Sequence, residues 1–408
     1  MNELDINNPQ LPDFIVPGAD EKKQDEPAKI KVIGVGGGGG NAVNHMYHQG
    51  IGGVSFVLCN TDAQALRNSP VPVKVQLGAK GEGAGNIPEV AKKLAEESAA
   101  EVEALFDDNT RMAFITAGMG GGTGTGAAPV VARIAKEKGV LTVGIVTIPF
   151  LFEGEPKILQ AFAGVEEMRK HVDALLVINN ERLCKIYPDL SWTTAFAQAD
   201  DSLSNAARSI AELVSKDGKI NLDFADVRTT LKDGGAAVIS TGSGEGEHRM
   251  SRAIQNALTS PLLKESDIYG AERVLFNLYF SPEEGEELRM QESKELSEFM
   301  LRFKKKVNVI WGYTHDSSLG KAVKITILAT GFEVSDLTFK GEYGGDADEH
   351  IAQSQYIVLK PDQLDDNDLL EKLDKTPAYD RPKDFRDNFD GSEKKEESNG
   401  SGRRTIRF

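Results

Sequence analysis

Short, nearly continuous apolar runs alternate along the first half of the chain with amphipathic stretches. The apolar runs have strand length and lie at 30–35, 54–59, 112–117, 141–148 and 174–178. Helical periodicity between them lies near 40–49, 88–105, 126–138 and 157–170. Strands that are apolar on both faces and joined by helices are typical of a parallel sheet covered on both sides. The fold class predicted is therefore α/β.

A long helix at 194–216 follows this region. Its apolar residues recur every three or four positions, so one stripe of the helix is buried, at Phe196, Ala199, Leu203, Ala207, Ile210 and Val214. Asp217-Gly218 ends the helix. Further strands are predicted at 236–240, 274–280, 307–312 and 323–329, with helices near 247–258 and 291–304. The region from about residue 236 to residue 329 is therefore predicted to form a second, smaller α/β layer.

Composition narrows the function classes. The net charge of −16 argues against nucleic acid or an anionic membrane as the main partner, because both require a basic surface. The two cysteines, Cys59 and Cys184, lie in or beside apolar runs and are expected to be buried thiols. The N-terminus lacks the apolar core of a signal peptide, and no run approaches the length of a membrane span. We expect a soluble, cytoplasmic protein without a transmembrane segment.

A glycine-rich loop, VIGVGGGGGNAV, follows the first strand and opens a helix. Its five successive glycines, Gly36 to Gly40, lose much backbone entropy on folding, which indicates that something needs the bare backbone. Phosphate fits, because a helix N-terminus offers amide donors and the positive end of a dipole. Taken alone, the loop also matches the dinucleotide pattern GxGxxG at Gly34, Gly36 and Gly39. A flexible loop without a ligand is the plainer alternative.

A second loop, GMGGGTGTG at 118–126, also leaves a strand and enters a helix. Loops at neighbouring strand ends of one parallel sheet can converge on one polyphosphate. Thr123 and Thr125 add hydroxyl donors, and a third small-residue loop at 81–85 is placed to close over a terminal phosphate. The chain has no GxxxxGK[ST], so this is not a P-loop.

These motifs resemble the FtsZ family, the bacterial cell-division homologues of tubulin. The resemblance rests on GGGTGTG at 120–126 together with VIGVGGGGGNAV, NTDAQAL at 60–66 and SKDGKINLDFADV at 215–227. It covers about residues 29 to 332. It implies a tubulin-like fold, GTP binding and hydrolysis, Mg²⁺ as cofactor, head-to-tail filaments and a role in the division ring at mid-cell under the inner membrane.

The resemblance also implies a division of the chain. The predicted segments are a disordered extension (1–28), a GTP-binding domain (29–193), a central helix (194–217), a C-terminal domain with its catalytic loop at 218–227 (218–332), a disordered acidic linker (333–373), a partner-binding peptide (374–382) and a variable tail (383–408).

In relatives, the glycine loops hold the phosphates. The first loop would wrap the diphosphate through Gly37, Gly38, Gly39, Gly40 and Asn41. The second would hold the β- and γ-phosphates through Gly121, Gly122, Thr123, Gly124 and Thr125, and the third would contribute Gly83, Ala84 and Gly85. No protein metal cluster is predicted, since His45 and His48 share a helix without the spacing of a metal site.

The sugar and base have their own candidates. Glu153 matches a glutamate that contacts the ribose, and Lys157 stands where many relatives carry an arginine, so its contact lacks the planar fork. Asn180 matches an asparagine near the guanine. Phe196 and Asp200 share one helix face, where Phe196 would stack on the base and Asp200 would accept from guanine N1–H and its 2-amino group. The plainer alternatives are surface charges for Glu153 and Lys157, and a core position for Phe196 with Asp200 in solvent.

Asn221, Asp223 and Asp226 form the NLDFAD motif after the long helix. They are turn and cap residues by position. The resemblance implies a second role: this loop enters the nucleotide site of the next subunit, where the carboxylates orient or activate the attacking water.

Two features remain beyond these domains. The sequence TPAYDR at 376–381 resembles the peptide by which relatives bind membrane tethers and division regulators, with Pro377 and Tyr379 as anchors, although an ordinary linker is the alternative. The terminal Arg403, Arg404 and Arg407 are candidates for acidic partners or lipid. Two other functions stay open: a nicotinamide-dependent oxidoreductase built on the first glycine loop, and a filament protein that binds nucleotide without hydrolysing it.

Overall fold

The computed structural model describes residues 29–181, 189, 191–215, 219–220, 222–259, 268–303 and 306–332. Several predictions lie outside these residues: the extension at 1–28, the linker, the partner-binding peptide and the tail. Cys184 and Asn221 also lie outside them, and of Phe196 only the helical backbone is described.

Ten strands form one sheet. In chain order they are β1 (Lys29–Val35), β2 (Val54–Asn60), β3 (Val73–Gln76), β4 (Thr110–Gly118), β5 (Leu141–Ile148), β6 (Ala174–Asn179), β7 (Gly235–Gly244), β8 (Arg273–Phe280), β9 (Asn308–His315) and β10 (Val323–Phe332). Their order across the sheet is β3-β2-β1-β4-β5-β6-β7-β10-β8-β9. The first six strands are parallel, as the apolar runs predicted.

Helices cover both faces of this sheet. In chain order they are α1 (Gly36–His48), α2 (Ala63–Asn68), α3 (Pro88–Glu97), α4 (Ala99–Ala104), α5 (Gly122–Glu137), α6 (Glu155–His171), α7 (Trp192–Ser215), α8 (Phe224–Leu231), α9 (Arg249–Leu258) and α10 (Ser293–Met300). On one face of the sheet, a buried cluster contains side chains from α3, α4, α5, α6 and α9. On the other face, a second buried cluster contains side chains from α1, α2, α7 and α8. The prediction of a parallel sheet covered on both sides is confirmed.

The second group of strands differs from the expected separate layer. It continues the first sheet edge to edge, because β7 pairs with β6 in parallel at Gly235 and Ala236. Within the group, β10 is antiparallel to both β7 and β8, whereas β8 and β9 are parallel. The elements β3 and α2 were not predicted. Each is short and has a single buried residue in the structure, so its sequence shows almost no hydrophobic periodicity.

Helix boundaries also differ from the pattern. The expected helix at 88–105 divides at Ser98, whose backbone leaves helical geometry and whose hydroxyl accepts a hydrogen bond from the Gly78 N–H at 2.9 Å. Helices α1 and α5 begin inside the glycine loops, at Gly36 and Gly122. The glycines therefore form the first turns of the helices.

The long helix α7 packs on α1, on strands β5 to β7 and on α8. Lys324 of β10 lies 3.8 Å from the Glu212 carboxylate, so α7 also contacts the second group of strands. Every helix in the described part of the chain is too short or too polar to cross a lipid bilayer. Cys59 is buried, and burial raises the pKa of its thiol to about 12, as expected for an unreactive core cysteine.

Candidate functional site

The two glycine loops meet at the carboxyl edge of the parallel sheet. Strands β1 and β4 are neighbours, while the chain runs from β1 outward to β2 and β3 in one direction and from β4 to β6 in the other. This reversal opens a crevice at the carboxyl ends of β1 and β4, which is where open α/β sheets bind ligands. The loop after β1 and the loop after β4 both line it.

Close backbone contacts explain part of the glycine content. A Cβ on Gly39 would lie 2.2 Å from the Thr116 carbonyl oxygen, and one on Gly124 would lie 2.3 Å from the Gly118 carbonyl oxygen. Similar crowding surrounds Gly122, beside Ile87. These glycines are required by the protein's own packing, so their presence does not by itself indicate a ligand.

Two other glycines face open space. A Cβ on Gly37 or on Gly121 would meet no atom within 4 Å, and the same holds for Gly83 and Gly85 of the third loop. Gly37, Gly38 and Asn41 are exposed, and Gly40 is partly buried. The accessible side of the crevice is therefore lined by bare backbone.

The helix ends at this crevice are suited to an anion. Neither α1 nor α5 has a side chain that caps its N-terminus, and neither has an acidic residue in its first turn. Their first amide groups and the positive ends of two helix dipoles converge on the same space. A polyphosphate would satisfy both.

The third loop is attached to the second through residues 60–66. Thr61 and Thr123 hydroxyl oxygens lie 2.7 Å apart, and the Gly83 N–H donates to the Thr61 carbonyl oxygen at 3.0 Å. Ala84 points its side chain into the core. Of the third loop, Gly83 and Gly85 thus border open space, and Ala84 anchors the loop.

Thr125 differs from Thr123 in its surroundings. Its side chain is buried, and its hydroxyl accepts a hydrogen bond from the Gly120 N–H at 2.9 Å. On the other side of the loop, the Gln160 side-chain amide donates to the Gly120 carbonyl oxygen at 3.0 Å. Thr125 and Gln160 therefore fix the shape of the second loop. Gln160 carries no sequence signal, because it is forty positions away on α6.

Glu153 and Lys157 form an ion pair beside the second loop, with Nζ 3.4 Å from Oε2. The other carboxylate oxygen of Glu153 accepts from the Phe150 N–H at 3.0 Å. A Cβ on Gly120 would lie 2.8 Å from the Lys157 carbonyl oxygen, so the backbone of Lys157 lies against the second loop. The pairing leaves the Lys157 ammonium less directed toward a phosphate than an unpaired cation would be.

Asn180 follows β6 at the same edge of the sheet. It is buried, and its side-chain oxygen has no hydrogen-bond partner among the described residues. A buried amide oxygen without a partner loses free energy, which a ligand donor would restore. This position suits a base with N–H donors.

Asp200 lies on α7 in a partly buried environment. Burial raises the pKa of its carboxyl to about 6; His45 on α1 opposes this shift in the pKa, and Asp201 adds to it. His45 Nε2 lies 2.6 Å from the Asp201 carboxylate, which ties α1 to α7. His45 is thus part of a helix contact, and no group of three metal-binding side chains occurs among the residues described.

Asp223 and Asp226 form a reciprocal cap at the start of α8. The Asp226 N–H donates to the Asp223 carboxylate and the Asp223 N–H donates to the Asp226 carboxylate, both at 3.0 Å. The predicted capping role is confirmed for these two residues.

This cap lies at the amino edge of the sheet, opposite the crevice. The Arg111 guanidinium, at the beginning of β4, lies 4.3 Å from the centre of the Phe224 ring, the first residue of α8. The glycine loop follows the other end of β4, at Gly118. Nine residues of strand separate the two ends, which corresponds to about 25–30 Å at ~3.3 Å per residue.

Comparison with known proteins agrees with this architecture. Residues 29–188 match the tubulin/FtsZ family, GTPase domain, and residues 235–333 match the FtsZ family, C-terminal domain. The chain is 52% identical over 394 residues to the cell division protein FtsZ of Porphyromonas gingivalis, covering 87% of this chain and 86% of that protein. It is 40% identical to the FtsZ of Buchnera aphidicola, covering 86% and 92%.

Solved structures give the same result. An empty FtsZ dimer from M. jannaschii superposes with a TM-score of 0.69 at 39% identity, covering 79% of this chain and 92% of that one. CetZ2 from Haloferax volcanii, in a GTPγS-bound protofilament, has a TM-score of 0.65 at 21% identity, covering 80% and 100%, and so supports the fold alone.

The oxidoreductase alternative is wrong, since the family matches cover both halves of the fold. The chain belongs to the FtsZ family of tubulin-like GTPases, the filament-forming cytoskeletal proteins of cell division.

Proposed function

We propose that this protein hydrolyses GTP at a site shared by two copies stacked head to tail. The glycine loops at the carboxyl edge of one copy bind the nucleotide. Asp223 and Asp226, at the amino edge of the next copy, act on the attacking water. The observation that carries this proposal is the separation of the two halves of the site within one chain.

The crevice supports binding of GTP through its own residues. Two uncapped helix ends and the bare backbone at Gly37 and Gly121 offer amide donors to the phosphates. Glu153 is proposed to accept hydrogen bonds from the ribose hydroxyls. The unpartnered oxygen of Asn180 and the carboxylate of Asp200 are acceptors for guanine N–H groups, which adenine does not present in that pattern. Phe196 is proposed to stack on the base.

Mg²⁺ fits this crevice as a partner of the nucleotide. Magnesium keeps several waters and is held mainly by phosphate oxygens with few protein ligands, which agrees with the lack of an acidic cluster in the described part of the site. The Thr123 hydroxyl, which lies 2.7 Å from the Thr61 hydroxyl, is proposed to join it. When bound, the ion neutralises charge on the β- and γ-phosphate oxygens.

The distance across the sheet supports sharing of the site. A general base acts within about 3 Å of the proton it takes, or through one water. Asp223 and Asp226 lie roughly 25–30 Å from the loops of their own chain, by the length of β4. Stacking a second copy edge to edge brings its amino edge, and these two carboxylates, to the open crevice.

A mixing experiment tests this proposal. Asp226→Asn keeps an acceptor for the cap but removes the charge, and its glycine loops remain intact. Gly37→Asp adds a carboxylate in the phosphate crevice, while its Asp226 is unchanged. Each variant alone should hydrolyse GTP at least tenfold more slowly than the unmodified protein, because each lacks one half of the site.

In an equimolar mixture, an Asp226→Asn copy with bound GTP can receive the intact acidic loop of a Gly37→Asp copy. The rate should then rise well above the sum of the two separate rates. A mixture that hydrolyses GTP only at that sum, while light scattering reports joint assembly, contradicts a shared site and favours a purely structural cap.

We further propose that the segment near Pro377 and Tyr379 binds membrane tethers or division regulators and brings the filaments to mid-cell. Its Pro-Ala-Tyr-Asp-Arg pattern supports this assignment, since proline limits the entropy lost on binding and tyrosine supplies buried area.

A further inference from the structure

The outer edge of β9 contacts the segment that carries the proposed catalytic carboxylates. On one side β9 pairs with β8 along its whole length, from Asn308 to His315. On its other side, Ile220 forms an antiparallel bridge with Tyr313. The Lys219 N–H donates to the Tyr313 carbonyl oxygen at 3.0 Å, and the Tyr313 N–H donates to the Ile220 carbonyl oxygen at 3.1 Å.

Gly312 allows this close approach. A Cβ at this position would lie 2.6 Å from the Ile220 carbonyl oxygen, 2.7 Å from Leu222 Cγ and 3.2 Å from Asn277 Oδ1. Real Cβ atoms keep at least about 3.0 Å, and usually 3.4 Å, from such neighbours. The glycine is therefore required by the segment that lies against it.

The segment is held again on its far side. Leu222 and Phe224 are buried in the cluster under α7 and α8, and the Arg111 guanidinium stacks on the Phe224 ring. Asp223 lies between these two buried side chains, three residues from the bridge at Ile220. The position of the carboxylates is thus set jointly by the parallel sheet, through Phe224, and by β9, through Ile220 and Leu222.

We infer that Gly312 and the backbone of Tyr313 are positioning residues for GTP hydrolysis. They hold the segment bearing Asp223 and Asp226 in the position from which it enters the next copy's site. This inference rests on the proposed shared site. A displacement of about 1 Å in a catalytic group can lower a rate about a hundredfold. Relief of a 2.6 Å contact to 3.4 Å requires a shift of nearly that size.

The test uses Gly312→Ala in the full-length protein. We expect its affinity for GTP to stay within twofold of the unmodified protein, because its own crevice lies at the opposite edge of the sheet. GTP hydrolysis above the assembly threshold should fall ten- to a hundredfold. Assembly with a slowly hydrolysed GTP analogue, followed by light scattering, should persist. Asn308→Ala, an exposed residue at the beginning of β9, is the matched control and should change neither quantity.

A second variant guards against simple misfolding. Tyr313→Pro removes the N–H that donates to the Ile220 carbonyl oxygen at 3.1 Å, and because that N–H points away from β8, the substitution removes no hydrogen bond between β8 and β9. It should reproduce the selective loss of hydrolysis. Equal loss of GTP binding and hydrolysis in both variants, or hydrolysis unchanged in both, overturns the inference.

Asp226→Asn, measured in parallel, separates this inference from the function on which it rests. If Asp226→Asn abolishes hydrolysis while Gly312→Ala does not, the shared site stands and the positioning role falls. If neither variant lowers hydrolysis, the shared site itself fails.

Discussion

Single glycines in the two loops serve different purposes, although the sequence presents them as one run. Gly39 and Gly124 lie against backbone carbonyl oxygens, whereas Gly37 and Gly121 border open space. A substitution at Gly39 or Gly124 therefore disturbs the fold, and a substitution at Gly37 reaches only what binds in the crevice. This difference makes Gly37 the better probe of phosphate binding.

Gly37→Asp should weaken GTP binding at least tenfold without lowering the melting temperature. The new carboxylate repels phosphate, while a negative charge in the first turn of α1 is favourable for the helix. Gly52→Asp is the control, because Gly52 lies four residues beyond the C-terminal end of α1 and also borders open space. Titration with a fluorescent GTP analogue measures the affinity. Unchanged affinity in Gly37→Asp removes the first loop from the phosphate site.

Asp200 gives a prediction about pH. Its carboxyl has a pKa of about 6 in the fold, compared with about 3.9 in an unfolded chain, so the folded protein holds this proton more tightly. The contribution of Asp200 to the free energy of unfolding without ligand therefore decreases as pH rises from about 4 to about 6. GTP affinity should change in the opposite direction and fall as pH drops through 6, because guanine N–H groups bind the ionised form.

Asp200→Asn is the control for this effect, since every other ionisable group is the same in both proteins. The pH dependence of GTP affinity should be shallower in this variant. Asp200→Ala should in addition reduce the preference for GTP over ATP by roughly ten- to a hundredfold, as expected for a lost charged hydrogen bond. An unchanged GTP/ATP ratio would show that Asp200 does not read the base.

Some contacts that shape the site could not be predicted from the sequence, because they join residues that are far apart in the chain. His45, Gln160 and Gly312 contact site segments that are distant in the chain, at Asp201, Gly120 and Ile220. Nothing in their local sequence indicates these contacts. The glycine loops were predictable, because their composition is costly in backbone entropy and their positions follow strands.

At the scale of elements, α8 combines a structural and a proposed catalytic role in the same two side chains. Its capping box satisfies backbone N–H groups at the amino edge of the sheet. A cap needs only a hydrogen-bond acceptor, whereas activation of water needs a carboxylate. The two roles can therefore be separated by substitution with asparagine.

Asp223→Asn should leave the free energy of unfolding nearly unchanged, because asparagine caps a helix about as well as aspartate. Its GTPase rate should nevertheless fall by tenfold or more. Asp223→Ala should lose the same activity and about 1 kcal/mol of stability as well. Denaturant unfolding and phosphate release measure the two quantities. Full activity in Asp223→Asn would leave Asp223 with the capping role alone.

Elements with a strong period were predicted well. The parallel strands β1, β2, β4, β5 and β6 and the helix α7 stand where their apolar runs and stripe indicated. The edge-to-edge joining of β6 and β7 was not predicted, since it rests on two residue pairs, and the pattern of each strand is the same in either arrangement. Short elements such as β3 carry too few buried positions to be recognised.

At the scale of the whole molecule, the tail is proposed to be separable from assembly. The described fold ends at Phe332, and the peptide near Tyr379 follows a stretch rich in Asp and Glu. Truncation after position 374 should leave GTPase activity and filament formation intact, because no element of the sheet is removed. It should abolish localisation at the division site and binding of the membrane tether.

Tyr379→Ala should reproduce most of this defect in tether binding, with Arg403, Arg404 and Arg407 left in place. Pull-down with purified tether and fluorescence microscopy measure the two effects. If only loss of the three arginines abolishes binding, the recognition segment is the extreme C-terminus. If truncation stops polymerisation, the tail belongs to the assembly interface.

The central claim is that no single copy holds a complete site for hydrolysis. Its most direct test is the rate of phosphate release from GTP per molecule across a dilution series, with light scattering recorded on the same samples. The account predicts a low rate below a threshold concentration and a steep rise in the rate above it, at the concentration at which filaments appear. A rate per molecule that stays constant through that threshold would contradict it.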